Sequence, residues 1–188
     1  MVLVSGCSLI DRAGAAAIVE QERYTQQQLA DDFVALDAAL GSQDAPGSMD
    51  EVNRNFISMY IYDRVVQAAA DKLGITADKT AVGRMRRSLE MQLGSEGGLE
   101  QFAATRGIAP DQIWMVLRNS VLTTDIGAKL IGGTNTDEQS AAANAYLQQL
   151  ALTMHIEVSP RFGAWDVQQM VTVAPADDLS IAAAAPVA

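Results

Sequence analysis

The stretch over residues 52–76, VNRNFISMYIYDRVVQAAADKLGIT, decides how the rest of this chain must fold. Its apolar residues recur at helical spacing, and the stripe that they form is too wide for a helix with only one buried side. Gly74 follows the last periodic residue, where a left-handed residue often closes a helix. The pattern therefore predicts a long central helix that needs packing partners on two or three sides. The apolar positions are Phe56, Ile57, Met59, Tyr60, Ile61, Val65, Val66, Ala69 and Leu73.

Further helical patterns before and after this stretch supply the packing partners. Thr25 and Gln28 stand at capping-box spacing ahead of a helix that ends near residue 40. The central helix is expected to begin at Asp50 or Asn53. The sequence thus predicts a mainly α fold, a helical bundle. Its other helices are expected after a cap at Thr76 or Asp78 and up to Leu93, over residues 99–106, from Pro110 to Leu130, and over residues 141–152.

Short extended segments near both ends of the chain predict a small antiparallel sheet that joins the N-terminal and C-terminal segments. Residues 17–19 read as a strand that turns at Glu20, and residues 155–158 alternate between apolar and polar side chains. Residues 170–173 are expected to form a last extended piece. We therefore predict a single domain over residues 15–173. Residues 1–14 are predicted to be a truncated lipoprotein signal and linker, and the Ala- and Pro-rich residues 174–188 a disordered tail.

Composition excludes several classes of function. The 188 residues include 13 basic and 23 acidic side chains, a net charge of −10, so no basic surface for nucleic acid is expected. With only one His and one Cys, zinc sites of the Cys/His type, Cys–His nucleophiles and internal disulfides are nearly excluded. Adjacent carboxylates such as Asp31 and Asp32 point apart on a helix and are expected to be solvated charges. We predict neither an enzyme nor a metal or cofactor; a carboxylate hydrolase has no supporting motif.

The segment Val4-Ser5-Gly6-Cys7 fits the small-residue pattern that precedes the lipidated cysteine of bacterial lipoproteins. A signal peptide also needs a basic segment and a longer apolar core, and only six residues precede Cys7. We therefore expect a start further upstream and a lipid anchor on Cys7 that holds the protein at the outer face of the cell membrane. The alternative is a buried or disordered cysteine that carries no lipid.

Methionines are the most informative candidate binding residues, because their flexible and polarizable side chains adapt to irregular apolar partners. Four of them are predicted to line a cradle for extended peptide. The alternative, which we favour, is that they fill gaps in the helical core, since each lies on a stripe already expected to be buried. The complete predicted peptide-binding set is Met59, Met85, Met91, Met115, Phe56, Tyr60 and Trp114.

A closing motif follows the last predicted helix. Pro160 and Gly163 are expected to shape a turn that lets Phe162 and Trp165 cap the core, with Arg161 held against a carboxylate or a ring. The same residues could instead offer an aromatic anchor to a partner. We favour the structural role.

Four segments in succession resemble the SurA N-terminal-domain family, which is shared with the PrsA-type foldase lipoproteins. IVEQERYT at residues 18–25 is similar to its opening strand, turn and helix cap. ADKLGITADKTAV at residues 70–82 resembles the end of its core helix and the start of the next. GGLEQFAATRGIA at residues 97–109 and VSPRFGAWD at residues 158–166 look like its small-helix and closing segments. The resemblance covers about residues 16–170.

This resemblance implies an extracytoplasmic chaperone that binds unfolded or newly exported client polypeptides. Larger members carry a parvulin-type prolyl isomerase domain before the last helix, whereas only residues 132–137 lie at that place here. The chain is thus similar to a short form, and isomerase activity should be absent. The alternative function is a structural or assembly subunit of the cell envelope that associates with itself, for example as a homodimer.

Overall fold

The computed structural model describes residues 13–94 and 97–175, which form a mainly helical fold. Cys7, and the predicted tail beyond residue 175, lie outside the described residues. Among the described helices, none combines the length and the apolar character that crossing a membrane requires. The described elements are β1 (Ala15–Val19), β2 (Glu22–Thr25), α1 (Gln26–Leu40), α2 (Met49–Leu73), α3 (Lys79–Leu93), α4 (Gly98–Ala104), α5 (Ile113–Ile131), α6 (Thr136–Ala151), β3 (Ile156–Val158), β4 (Ala164–Asp166) and β5 (Val171–Val173).

The predicted central helix is confirmed as α2, and its apolar side chains form the middle of the core. Phe56, Ile57, Ile61, Val65 and Val66 are fully buried. Burial of a side chain of this size contributes about 1.5–3 kcal/mol relative to leaving it in water. Helices α1, α5 and α6, the strand β1 and the strand β5 all pack against α2. The wide apolar stripe in the sequence is thus explained by neighbours on several sides.

The start of α2 differs slightly from the prediction. The helix begins at Met49, one residue before Asp50, the earlier of the two expected starts, because Ser48 and Glu51 form a capping box. The Glu51 backbone N–H donates to Ser48 Oγ at 3.3 Å, and the Ser48 backbone N–H donates to Glu51 Oε2 at 2.7 Å. These bonds satisfy backbone donors that the first turn of a helix leaves unpaired. At the other end Gly74 adopts the left-handed conformation that was expected.

The sheet that joins the two ends of the chain is also confirmed. Strand β1 is central: it pairs antiparallel with β2 on one side and with β3 on the other. Ile18 lies opposite Glu157 in this register, and Val19 lies opposite Ile156. A second sheet, formed by β4 and β5, was predicted only as one extended piece. Strand β5 therefore packs against α2, and the β4–β5 pair does not extend the first sheet.

Helices α5 and α6 form a tightly packed hairpin. Gly127 on α5 lies against the backbone of Gln139 on α6, where a Cβ atom would come within 2.4 Å of the Gln139 carbonyl oxygen. A glycine is therefore required for this close approach. Helix α6 begins at Thr136, ahead of the expected start at residue 141, because Asn135 Oδ1 accepts hydrogen bonds from the Asp137 and Glu138 backbone N–H groups. The α5–α6 hairpin stands beside α2 and leaves a groove between the three helices.

Candidate functional site

A groove with a cavity volume of about 580 Å³ lies between α2, α5 and α6. The loop that follows α4 closes one end of it. We call it the α2–α5–α6 groove. Helix α2 contributes residues spaced by three and four positions, which share one face of a helix. The lining consists of Asn55, Met59 and Tyr62 from α2, Arg106 and Ile108 from the loop, Met115, Val116, Asn119, Ser120, Thr123 and Thr124 from α5, and Ser140 and Asn144 from α6.

The groove combines apolar side chains with neutral hydrogen-bonding groups. Two methionines, Met59 and Met115, lie in it with three carboxamides and several hydroxyl groups. Arg106 is the single charged side chain among the described lining residues. No three described His, Cys, Asp or Glu side chains gather in an arrangement that could hold a metal ion. The lining is therefore suited to dispersion contacts and to hydrogen bonds with an uncharged ligand.

Asn119 is the most informative residue of the groove. Its side chain is only 5% exposed, and its Oδ1 accepts no hydrogen bond within the described parts of the chain. A buried acceptor without a donor costs about 1–3 kcal/mol of desolvation free energy. Native proteins satisfy the great majority of such groups. Asn119 thus carries a covered acceptor that finds no partner within the described parts of the chain.

Several hydrogen bonds hold the groove walls in place. The Asn55 Nδ2 group donates to the Gly107 carbonyl at 2.9 Å and fixes the closing loop to α2. The Tyr62 and Thr123 hydroxyl groups lie 3.3 Å apart and connect α2 to α5. The Arg106 guanidinium carbon lies 3.5 Å from the centroid of the Phe102 ring, a cation–π contact at the loop end of the groove. The site is therefore largely preformed.

The four methionines of the predicted cradle do not share one surface. Met59 and Met115 both line the α2–α5–α6 groove. Met85 packs into a smaller apolar cluster between α3, α4 and α5, which is built around Val82 and Leu117. Met91 is 77% exposed on α3. Met59 and Met115 thus remain candidates for one binding site, whereas Met85 fills space in a hydrophobic core.

The three aromatic residues of the predicted binding set also lie in different parts of the structure. Phe56 is fully buried in the main core, so its side chain offers no surface to a ligand. The Tyr60 ring stacks on the Tyr24 ring with their centroids 4.9 Å apart. Trp114 is 42% exposed and lines another cavity, beside Arg118. None of the three lies in the α2–α5–α6 groove.

The closing motif has the structural arrangement that we favoured. Phe162 is 4% exposed and belongs to the main core, and Trp165 packs against it while remaining half-buried. The Arg161 guanidinium carbon lies 5.1 Å from the centroid of the Phe162 ring. Gly163 has a φ of +122°, a conformation open essentially to glycine alone. Pro160, which precedes this turn, is exposed.

Sequence reasoning missed the role of Asp63. This residue lies on the buried face of α2, and its carboxylate accepts hydrogen bonds from Arg64 and from Arg118 on α5, each at 2.5 Å. Arg64 also pairs with Glu22 of β2. A charged residue between Ile61 and Val65, in an otherwise apolar stripe, was the available signal. This ion cluster connects α2 to α5, the two helices that form opposite walls of the groove.

The prediction that Asp32 is a solvated charge is wrong. Its carboxylate is half-buried and accepts hydrogen bonds from the Tyr24 hydroxyl and, at 2.8 Å, from Gln112 Nε2. Burial raises the pKa of Asp32, and the two hydrogen bonds oppose that change. Burial also raises the pKa of Tyr24, and the neighbouring Asp32 carboxylate raises it further. This cluster lies away from the groove and connects β2, α1 and the turn before α5.

Comparisons of the chain with protein-family models, with curated proteins and with solved structures yield no match. The functional argument therefore rests on the geometry and chemistry of the groove.

Proposed function

We propose that this protein binds extended segments of unfolded polypeptide in the α2–α5–α6 groove and acts as a chaperone-like protein without enzymatic turnover. The observation that carries the proposal is the pairing of methionines with neutral hydrogen-bonding groups on one preformed surface. Met59 and Met115 can adapt to apolar side chains of different shapes. The carboxamides can donate to peptide carbonyls and accept from peptide N–H groups. Such a surface selects for the polypeptide main chain more than for one sequence.

The dimensions of the groove support a short extended segment. Its wall on α5 runs from Met115 to Thr124, which corresponds to about 13 Å of helix axis. An extended chain covers that distance with about four residues. The cavity volume of about 580 Å³ lies in the range of sites that bury most of a ligand of this size.

The charge of the chain supports the same class of partner. A net charge of −10 repels nucleic acid and favours the approach of neutral or basic polypeptide segments. The groove itself holds no acidic side chain among its described lining residues, so binding there does not require a basic ligand.

The resemblance to the SurA N-terminal-domain family extends the proposal to the place of action. A bundle of that peptide-binding type would act outside the cytoplasm on newly exported clients, as the short form without prolyl isomerase activity. The lipid anchor on Cys7 belongs to the same proposal and stays a prediction of the sequence, because Cys7 lies outside the described residues.

Substitution of Met115 by glutamine tests the proposal. Glutamine keeps the length and flexibility of the side chain but removes its apolar end. We expect the affinity for an unfolded client, reduced and carboxamidomethylated ribonuclease A, to fall about tenfold, which corresponds to roughly half of the burial free energy of one methionine side chain. Fluorescence anisotropy of the labelled client measures the dissociation constant.

Met91→Gln is the matched control, because Met91 is exposed on α3 and lies outside the groove. It should leave the affinity unchanged. Equal effects of the two substitutions, or no binding by the native chain, would contradict the proposal. Light scattering tests the alternative function. A dimer that the client does not dissociate would favour a self-associating structural subunit.

A further inference from the structure

We infer that Arg106 is the specificity-determining residue of the α2–α5–α6 groove: its guanidinium group binds a carboxylate of the bound segment, from an acidic side chain or from the C-terminus. This inference rests on the proposed function and names a chemical preference of the groove. Arg106 is exposed, so a ligand can reach its guanidinium group. It is also the single charged side chain among the described lining residues. The body of the groove is thus neutral, and its one charge is positive.

The guanidinium group of Arg106 is held in place and still has donors to offer. Its central carbon lies over the Phe102 ring, 3.5 Å from the ring centroid, which is direct contact. Its Nη1 donates to the Phe102 carbonyl oxygen at 3.4 Å, the one hydrogen bond that Arg106 makes within the described parts of the chain. An arginine side chain has five N–H donors. Most of them therefore remain available to a ligand.

Arg106 pairs with no carboxylate among the residues that the structure describes. Arg64, Arg86 and Arg118, in contrast, each pair with at least one acid of the fold. A carboxylate of the ligand would supply the missing opposite charge. It would also match the planar guanidinium group, which can donate two parallel hydrogen bonds to one carboxylate.

Arg106 stands at one end of the groove, so the carboxylate is expected near an end of the bound segment. Its loop meets α2 at Asn55, whose bond to the Gly107 carbonyl keeps the loop there. Met59 lies one helical turn further along the same wall. A segment whose carboxylate reaches Arg106 can place the apolar side chain of a neighbouring residue against Met59 and Met115. The preferred ligand is thus a short segment with one carboxylate beside apolar residues.

The charge of the chain limits this preference to a single carboxylate. A net charge of −10 repels a strongly acidic segment as a whole. Within the described lining, no second cation is present to compensate a second acid. The attraction to Arg106 is therefore local, and neutral or basic segments that carry one carboxylate are the best match.

Peptides that differ only in charge test this contact. Overlapping blocked peptides of ribonuclease A are first scanned for the tightest binder by fluorescence anisotropy. Each position of that peptide is then replaced by glutamic acid and, in a matched peptide, by glutamine. In a second series the peptide is shortened stepwise from its C-terminal end, and every length is made as a free acid and as an amide. The first series reports an acidic side chain, and the second reports the C-terminal carboxylate.

We expect one carboxylate peptide, in either series, to bind the native protein about fivefold more tightly than its neutral partner, the upper end for an ion pair that keeps contact with water. In Arg106→Gln this ratio of affinities should fall to about one. Arg87→Gln is the matched control, because Arg87 is exposed on α3 and lies outside the groove, and there the fivefold ratio should persist. Both substitutions remove one positive charge, so a general electrostatic effect would change both ratios equally. Circular dichroism confirms that the variants are folded.

Two outcomes would overturn the inference while leaving the proposed function intact. The peptides bind and no carboxylate improves binding in either series, or the preference for a carboxylate is no weaker in Arg106→Gln than in Arg87→Gln. If no peptide of the client binds to the native chain, the proposed function fails and the inference fails with it.

Discussion

Replacement of Asp63 by alanine is expected to lower the free energy of unfolding by about 3 kcal/mol, the lower end of the range for removal of one partner from a buried ion cluster. The Asp63 side chain is 1% exposed, and it compensates the charges of Arg64 and Arg118. Without it, two guanidinium groups remain close together, and Glu22 still pairs with Arg64 alone. Both arginines keep some contact with water, which is why the lower end of the range applies. Urea denaturation measures the change.

Asp71→Ala on the same helix is the control for the Asp63 substitution. Asp71 is exposed near the end of α2, so the free energy of unfolding should change by no more than about 0.5 kcal/mol. In the double variant Asp63→Leu with Arg118→Met, part of the lost stability should return, because fewer buried charges are left uncompensated. Equal stabilities of Asp63→Ala and Asp71→Ala would show that the ion cluster contributes nothing.

Gly163→Ala is expected to lower the free energy of unfolding by about 4 kcal/mol, the sum of backbone strain and overpacking. A Cβ atom at this position would lie 1.8 Å from the Val173 carbonyl oxygen, which is backbone and cannot turn away. The φ of +122° adds a cost that only glycine avoids. The β4–β5 pair should separate, and with it the Phe162 contact to the core. Thermal unfolding followed by tryptophan fluorescence reports the loss, in a Trp114→Phe background that leaves Trp165 as the single tryptophan.

Gly74→Ala separates the cost of backbone strain from the cost of overpacking. Gly74 has a φ of +65°, and a Cβ atom there would meet nothing within 4 Å. This substitution should therefore cost only about 1 kcal/mol, the usual penalty for a side chain in the left-handed region. A loss at Gly163 no larger than the loss at Gly74 would mean that the β4–β5 turn can relax, and that the closing motif contributes little to the core.

The helices and the sheet joining the ends of the chain could be predicted because their signals are local. The apolar stripe of α2, the capping residues of α1 and the alternation in β3 each lie within one continuous segment of the sequence. The pairing of β1 with β3 followed from placing one strand near each end. Strand β4 was missed because a strand of three residues beside a glycine turn has too short a pattern to recognise.

The groove could be predicted only in part. Met59 and Met115 belong to helices far apart in the sequence, and their meeting depends on the packing of α5 beside α2. Helical spacing shows which residues share one face of a helix, but it does not show which other element covers that face. Met85 and Phe56 were therefore assigned to the same binding site as Met59 and Met115. Asn119 carried a readable signal: a carboxamide between Leu117 and Val121, on the apolar side of α5. Sequence alone does not show whether such a group finds a partner.

Site-directed photocrosslinking tests the central claim, the binding of unfolded polypeptide in the α2–α5–α6 groove, most directly. A photoreactive side chain at Ser120 would lie exposed in the groove, and one at Ser88 would lie exposed on α3 outside it. The proposed function predicts that unfolded ribonuclease A crosslinks to position 120 and not to position 88, and that the folded client crosslinks to neither. Crosslinks of equal yield at both positions, or at position 88 alone, would contradict it.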